Sequence, residues 1–193
     1  MGNLLVVPYI VSNAKSAGIL RRTQDYDLTL CLIFNRPCAT KWIRSSFALV
    51  SRLGDGAFWY ALMLVLPLAF GRQALWVSVH LFVVGLSGVA VYKLLKSRTA
   101  RPRPYTVNAH IHPGTVPLDR YSFPSGHTLH AAAFTLITVS YFPNMAWLLV
   151  PFSLLVALSR MVLGLHYPSD VLAGAGIGGL MAILSVQLMG LVG

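Results

Sequence analysis

Between residues 145 and 165, and again between 169 and 192, the chain carries one charged side chain per stretch, Arg160 in the first and Asp170 in the second. A helix rises about 1.5 Å per residue, so either stretch is long enough to cross a hydrocarbon core of about 30 Å. In lipid a segment must satisfy its own backbone hydrogen bonds, which leaves the helix as its conformation. Similar segments at 56–70, 73–95 and 127–142 precede them, the first and third short for a straight crossing. The expected fold class is all-α, a multi-span transmembrane helical bundle of about five spans. Pro67 and Pro151 are expected to bend the spans that hold them. The composition agrees: 56% of residues are hydrophobic and 10% charged, against about 25% charged in soluble domains.

The first 55 residues read differently. Their apolar runs are broken, as by Asn35-Arg36-Pro37, and basic residues recur at Lys15, Arg21, Arg22, Arg36, Lys41 and Arg44. Amphipathic helices lying on the membrane surface fit that pattern. The expected division is therefore a surface-lying helical region, 1–55, and a transmembrane core, 56–193. The opening Met1–Pro8 lacks the basic start of a cleavable leader. Cys31 and Cys38 make neither a disulfide framework nor a metal quartet. Fifteen Lys and Arg against five acids give a net charge of +10, which suits an anionic partner. The basic residues flank apolar spans, so the implied partners are the membrane and a phosphorylated lipid, not nucleic acid.

Three polar clusters interrupt the apolar sequence: Lys96-x6-Arg103-Pro104, Pro124-Ser125-Gly126-His127 and Ser159-Arg160-x5-His166-x3-Asp170. Threading the spans places all three at one membrane face. The second span ends at the first cluster and the third span begins at the second. The last cluster joins the fourth span to the fifth. Lys96, Arg103 and Arg160 then form a cationic clamp suited to phosphate oxygens. Ser125 and the backbone N–H groups around Gly126 open a helix, where an anion meets unpaired donors. His166 is the expected nucleophile, attacking phosphorus to give a phosphohistidine. Asp170 would hold the far ring nitrogen of His166, and His127 would protonate the leaving group. No group of carboxylates capable of holding a metal is evident, and neither metal nor cofactor is expected.

These clusters resemble the three signature motifs of the type-2 phosphatidic acid phosphatase (lipid phosphate phosphatase) superfamily, without substitution, over residues 96–170. The resemblance implies catalytic His166, His127 and Asp170, phosphate ligands Lys96, Arg103, Ser125, Gly126 and Arg160, and metal-independent hydrolysis of a lipid phosphate or pyrophosphate. Phosphatidylglycerophosphate, phosphatidic acid and polyprenyl (pyro)phosphates are the candidate substrates. A lipid phosphotransferase and a non-catalytic carrier of anionic lipid are the alternatives. Arg98 and Arg101 read as the basic flank of a span, His130 as a packing residue, and Gly174-x3-Gly178 as a close helix contact. Asp119 either shapes its loop or touches substrate. The excess of basic residues at the site face predicts an inner-membrane protein whose site faces the cytoplasm.

Overall fold

The computed structural model describes the backbone of residues 14–192 and the side chains of residues 24–190. The opening residues read above as lacking a leader, and the side chains of Lys15, Arg21 and Arg22, lie outside the described residues. Helix α1 (Ala14–Asn35) passes through a 3₁₀ turn into α2 (Lys41–Arg52), and a π turn then leads into α3 (Phe58–Phe70). Helix α4 (Gln73–Thr99), the short α5 (Pro104–Val107), α6 (Gly126–Tyr141), α7 (Ala146–Val162) and α8 (Pro168–Val192) follow.

Among the described residues, four helical stretches are long and apolar enough to cross a bilayer: Lys41–Phe70, Gln73–Val107, Pro143–Val162 and Pro168–Gly190. The remaining span, α6, has 16 residues and packs against α4, α7 and α8. The protein is thus an all-α, multi-pass membrane protein. Leu64, Leu68, Trp76, Trp147 and Leu172 are exposed on the outer faces of these helices. In water such a surface would be a liability; against lipid tails it costs nothing.

The first span's helix starts earlier than the apolar run suggests. Leu53-Gly54-Asp55-Gly56-Ala57 reads in sequence as a break, yet the chain passes through it as one π turn, with Gly56 at φ 148°. That left-handed backbone favours glycine. Inserted residues of this kind kink a helix without ending it. Packing also continues across residue 55. Cys38 packs with Leu163 and Leu165, backed by Phe47 and Ala48 of α2. At the end of α1, Asn35 Nδ2 donates to Val162 O (2.8 Å) and His112 O (3.0 Å), and its Oδ1 accepts from His112 N (2.8 Å).

The centre of the bundle is the α6–α8 contact. A Cβ built on Gly174 would lie 2.5 Å from Ser125 O, and one on Gly178 would run into the Leu129 carbonyl. Only glycine lets the two backbones come this close, as expected of small-xxx-small contacts in lipid. Elsewhere the core is apolar, with Trp59, Leu66, Leu81, Phe134, Leu149 and Val156 packed in one cluster.

Candidate active site

The three polar clusters meet at one cavity of about 490 Å³. Lys96 arrives from the last turn of α4, and Arg103 from the segment between α4 and α5. Gly126 and His127 open α6, Arg160 ends α7, and His166 lies in the turn before α8. All six line the cavity. Ser125 and Asp170 stand behind it. The Ser125 hydroxyl caps α6, accepting from Thr128 N at 3.5 Å, and is fully buried. Its backbone N–H donates to Asp170 O at 3.0 Å, so the starts of α6 and α8 are tied together.

The turn that delivers His166 is shaped by Gly164, whose φ of 67° no β-carbon could share comfortably, with Ile111 already 2.7 Å from where that carbon would sit. Arg103 NH1 donates to Leu165 O at 2.7 Å and lies 3.3 Å from His166 Nε2. The other ring nitrogen, Nδ1, is buried without a hydrogen-bond partner, 3.6 Å from Asp170 Oδ2. Burial is the largest influence holding His166 well below the ordinary histidine value. The charges of Arg160, Arg103 and Lys96 act in the same direction. That direction favours the neutral imidazole, whose unprotonated Nε2 faces the Arg103 guanidinium and is the kind of nitrogen a nucleophile requires.

Arg160 is buried, gives one guanidinium nitrogen to the Ser51 hydroxyl, and leaves its Nε without a partner. A buried guanidinium with an unmatched donor is a natural seat for an anion. His127 Nε2 lies 3.4 Å from Asp55 Oδ1, a carboxylate brought to the cavity by the π turn. His130 turns Nδ1 toward Gly126 O and Nε2 toward Gly85 O, each at 3.1 Å, pinning α6 to α4.

Three acidic residues that motif spacing does not single out belong to this region. Asp119 bridges Lys96 Nζ (2.6 Å) and Arg103 NH2 (2.7 Å), one carboxylate oxygen to each. Burial pushes the Asp119 carboxyl up, but the bonds and charges of Lys96 and Arg103 outweigh it and hold the group below its usual range. Asp55 faces His127, and Asp27 of α1 reaches the start of α8. A compositional signal does mark them: the chain has five acids, all Asp, and four of them gather here. Arg101 differs from the expectation of a basic flank. It turns inward to bond Asp170 and Asp27, while Arg98 is exposed as expected.

Away from the charges, the cavity wall is apolar, with Met63 of α3 and Phe82, Leu86 and Val89 of α4. One end thus offers cations and imidazoles, and the other a lipid-like surface.

Residues 76–192 match the model of the PAP2 superfamily. The chain belongs to that superfamily. It is 29% identical over 114 residues to the lipid A 1-phosphatase of Rhizobium etli, covering 57% of this chain and 49% of that one. It is 32% identical over 114 residues to an undecaprenyl-diphosphatase of Bacillus subtilis, covering 58% of each. The chain spans about half the length of the lipid A 1-phosphatases it matches. Its fold matches the crystal structure of a transmembrane PAP2-type phosphatidylglycerolphosphate phosphatase from Bacillus subtilis, with a TM-score of 0.73 and 24% identity over 89% of this chain and 88% of that one.

Proposed function

We propose that the protein is a metal-independent lipid phosphatase that removes phosphate from a phosphate monoester or pyrophosphate of a lipid through a phosphohistidine. One observation carries this reading: the imidazoles of His127 and His166 and the cations Lys96, Arg103 and Arg160 line the charged end of a cavity whose other wall is apolar. The relatives named above are named for lipids with phosphate or pyrophosphate groups, which supports a substrate of that chemical class.

Lys96, Arg103 and Arg160 hold the phosphoryl oxygens, with the N–H groups at the start of α6 beside them. The Nε2 lone pair of His166 forms the N–P bond as the bond from phosphorus to the leaving oxygen breaks. His127 gives that oxygen its proton. Asp170, at Nδ1, stabilises the positive charge that the attack creates on the ring. In the second half, His127 takes a proton from water, the water oxygen bonds phosphorus, and the N–P bond breaks to return neutral His166 and phosphate. Among the described residues no three His, Cys, Asp or Glu side chains gather as a metal would need, and each step above uses protein groups and water alone.

The lipid chain lies along Met63, Phe82, Leu86 and Val89, between α3 and α4. The N-terminal helices rest at the headgroup level, and the site faces the cytoplasm of an inner membrane. A tag on Gly193 should then report from the opposite side; cytoplasmic exposure of that tag would reverse the orientation.

The activity is tested by phosphate release from phosphatidylglycerophosphate, phosphatidic acid and a polyprenyl pyrophosphate in detergent, with chelator present throughout. Release from at least one, lost in His166→Ala, is expected. Full release by His166→Ala would end the reading, and release that requires a divalent ion would end the metal-independent route.

A further inference from the structure

Arg101 stands two residues before the clamp residue Arg103, and its guanidinium lies behind the cavity and does not line it. NH1 donates to Asp170 Oδ1 at 2.6 Å and to Ser169 Oγ at 2.8 Å; NH2 donates to Asp27 Oδ2 at 2.7 Å. The guanidinium carbon sits 3.9 Å from the centre of the Tyr167 ring. Asp27, from α1, also accepts from Ser169 N at 3.1 Å and from the Ser169 hydroxyl. One planar group thus joins α1 to the start of α8, beneath the turn that carries His166.

Asp170 has no solvent exposure. A carboxylate so buried keeps its charge only if it is paired and hydrogen-bonded. Its Oδ1 is taken by Arg101, and its Oδ2 accepts from Tyr167 N at 2.9 Å and faces His166 Nδ1. The groups around it are Asp27 and Cys31 of α1, Arg101, Ser122, His166 and Tyr167 of the loops, and Ser169 beside it. Arg101 is the cation among them. Two carboxylates against one guanidinium leave the cluster one negative charge in excess while His166 is neutral. That excess is matched when the ring becomes cationic on attack.

We infer that Arg101 is a positioning residue. Anchored by Asp27, it keeps Asp170 charged and aimed at Nδ1 of His166, and α1 is thereby part of the catalytic apparatus. This rests on the proposed role of His166 as nucleophile. A lysine, carrying one point charge in place of a planar fork, could serve one carboxylate well but not both.

The test uses the full chain in detergent with Arg101→Gln, Arg101→Lys and Asp27→Asn. With the best lipid of the panel above, Arg101→Gln should lower kcat by about 100-fold, the size of a general acid–base contribution, with little change in KM. Arg101→Lys should recover part of that loss. A raised KM with kcat unchanged would make Arg101 a phosphate ligand instead, and a Lys variant no better than Gln would remove the role of charge. Nitrogen-15 NMR of labelled histidines, with His166 assigned from His166→Gln, should show the Nδ1–H tautomer in the parent and its loss in Arg101→Gln. If that variant does not fold, Asp27→Asn should show the same change in part. An unchanged tautomer in the variants overturns the inference, whatever lipid is hydrolysed. A parent that releases no phosphate from any lipid overturns the phosphatase reading, and the tautomer alone then decides this one.

Discussion

Substituting Asp119 by Asn should make inorganic phosphate bind more tightly, against the usual result of removing a residue from a site. The two oxygens of Asp119 make the contacts with Lys96 and Arg103, at 2.6 and 2.7 Å, that two phosphate oxygens would make. A phosphate dianion must displace the carboxylate before it can use both cations. The Asp119 side chain is 38% exposed, so solvent screens its share of each pair. Partly exposed pairs contribute about 0.5–1 kcal/mol each, so releasing both costs about 1–2 kcal/mol. Asparagine keeps the shape and removes the charge, and the same 1–2 kcal/mol corresponds to about 5–30-fold in affinity. Because Asp119 is held below the usual carboxylate range, it stays ionised at neutral pH. As pH falls through that depressed value, the ion pairs and the competition they impose are lost, and the two proteins should converge. Calorimetric titration of phosphate into parent and variant at fixed ionic strength measures the difference directly. Weaker binding by Asp119→Asn would refute the reasoning, since the carboxylate would then be arranging the cations for phosphate rather than competing with it.

Two further outcomes test the architecture and the electrostatics of the site. Gly174→Ala should lower kcat by about 100-fold, because its new carbon would press on Ser125 O and shift the start of α6 by a fraction of an ångström to an ångström. Gly176→Ala, which meets nothing within 4 Å, should leave phosphate release unchanged; equal losses in both would point to a generally weakened helix. In the pH profile of kcat/KM, which reports the free enzyme, the acid limb due to His166 should fall below the ordinary histidine value near 6.5. The direction follows from the active form: the neutral ring is the nucleophile, and burial with three nearby cations keeps it neutral to lower pH. An acid limb above 6.5 in the parent, shifted by substitution of Arg160, would show the opposite electrostatic balance.

The spans and the convergence of the three clusters were legible because each rests on a local property. Apolar length determines a span, and the clusters sit where spans begin and end. Gly174 and Gly178 were legible as a helix contact for the same reason: four-residue spacing puts them on one face. What sequence spacing could not supply was partnership across long separations. Arg98 and Arg101 have the same local context after α4, yet one faces outward and the other meets Asp27 and Asp170, 74 and 69 residues away. No periodicity encodes such a meeting. Lys41–Arg52 shows a different limit: its charged face resembles that of a surface helix, and its apolar side runs on through a glycine-bearing π turn into α3, a continuity that the glycines hide in the sequence. The cost of charge in an apolar environment offers a better guide than motif spacing here. A buried carboxylate survives in such a chain only with cations or donors to meet it. With five acids in 193 residues, each is a candidate for a partner, and Asp27, Asp55, Asp119 and Asp170 all have one at the site. Scarcity of acid in a membrane chain is therefore a positional signal in its own right, one that reaches residues no short motif contains.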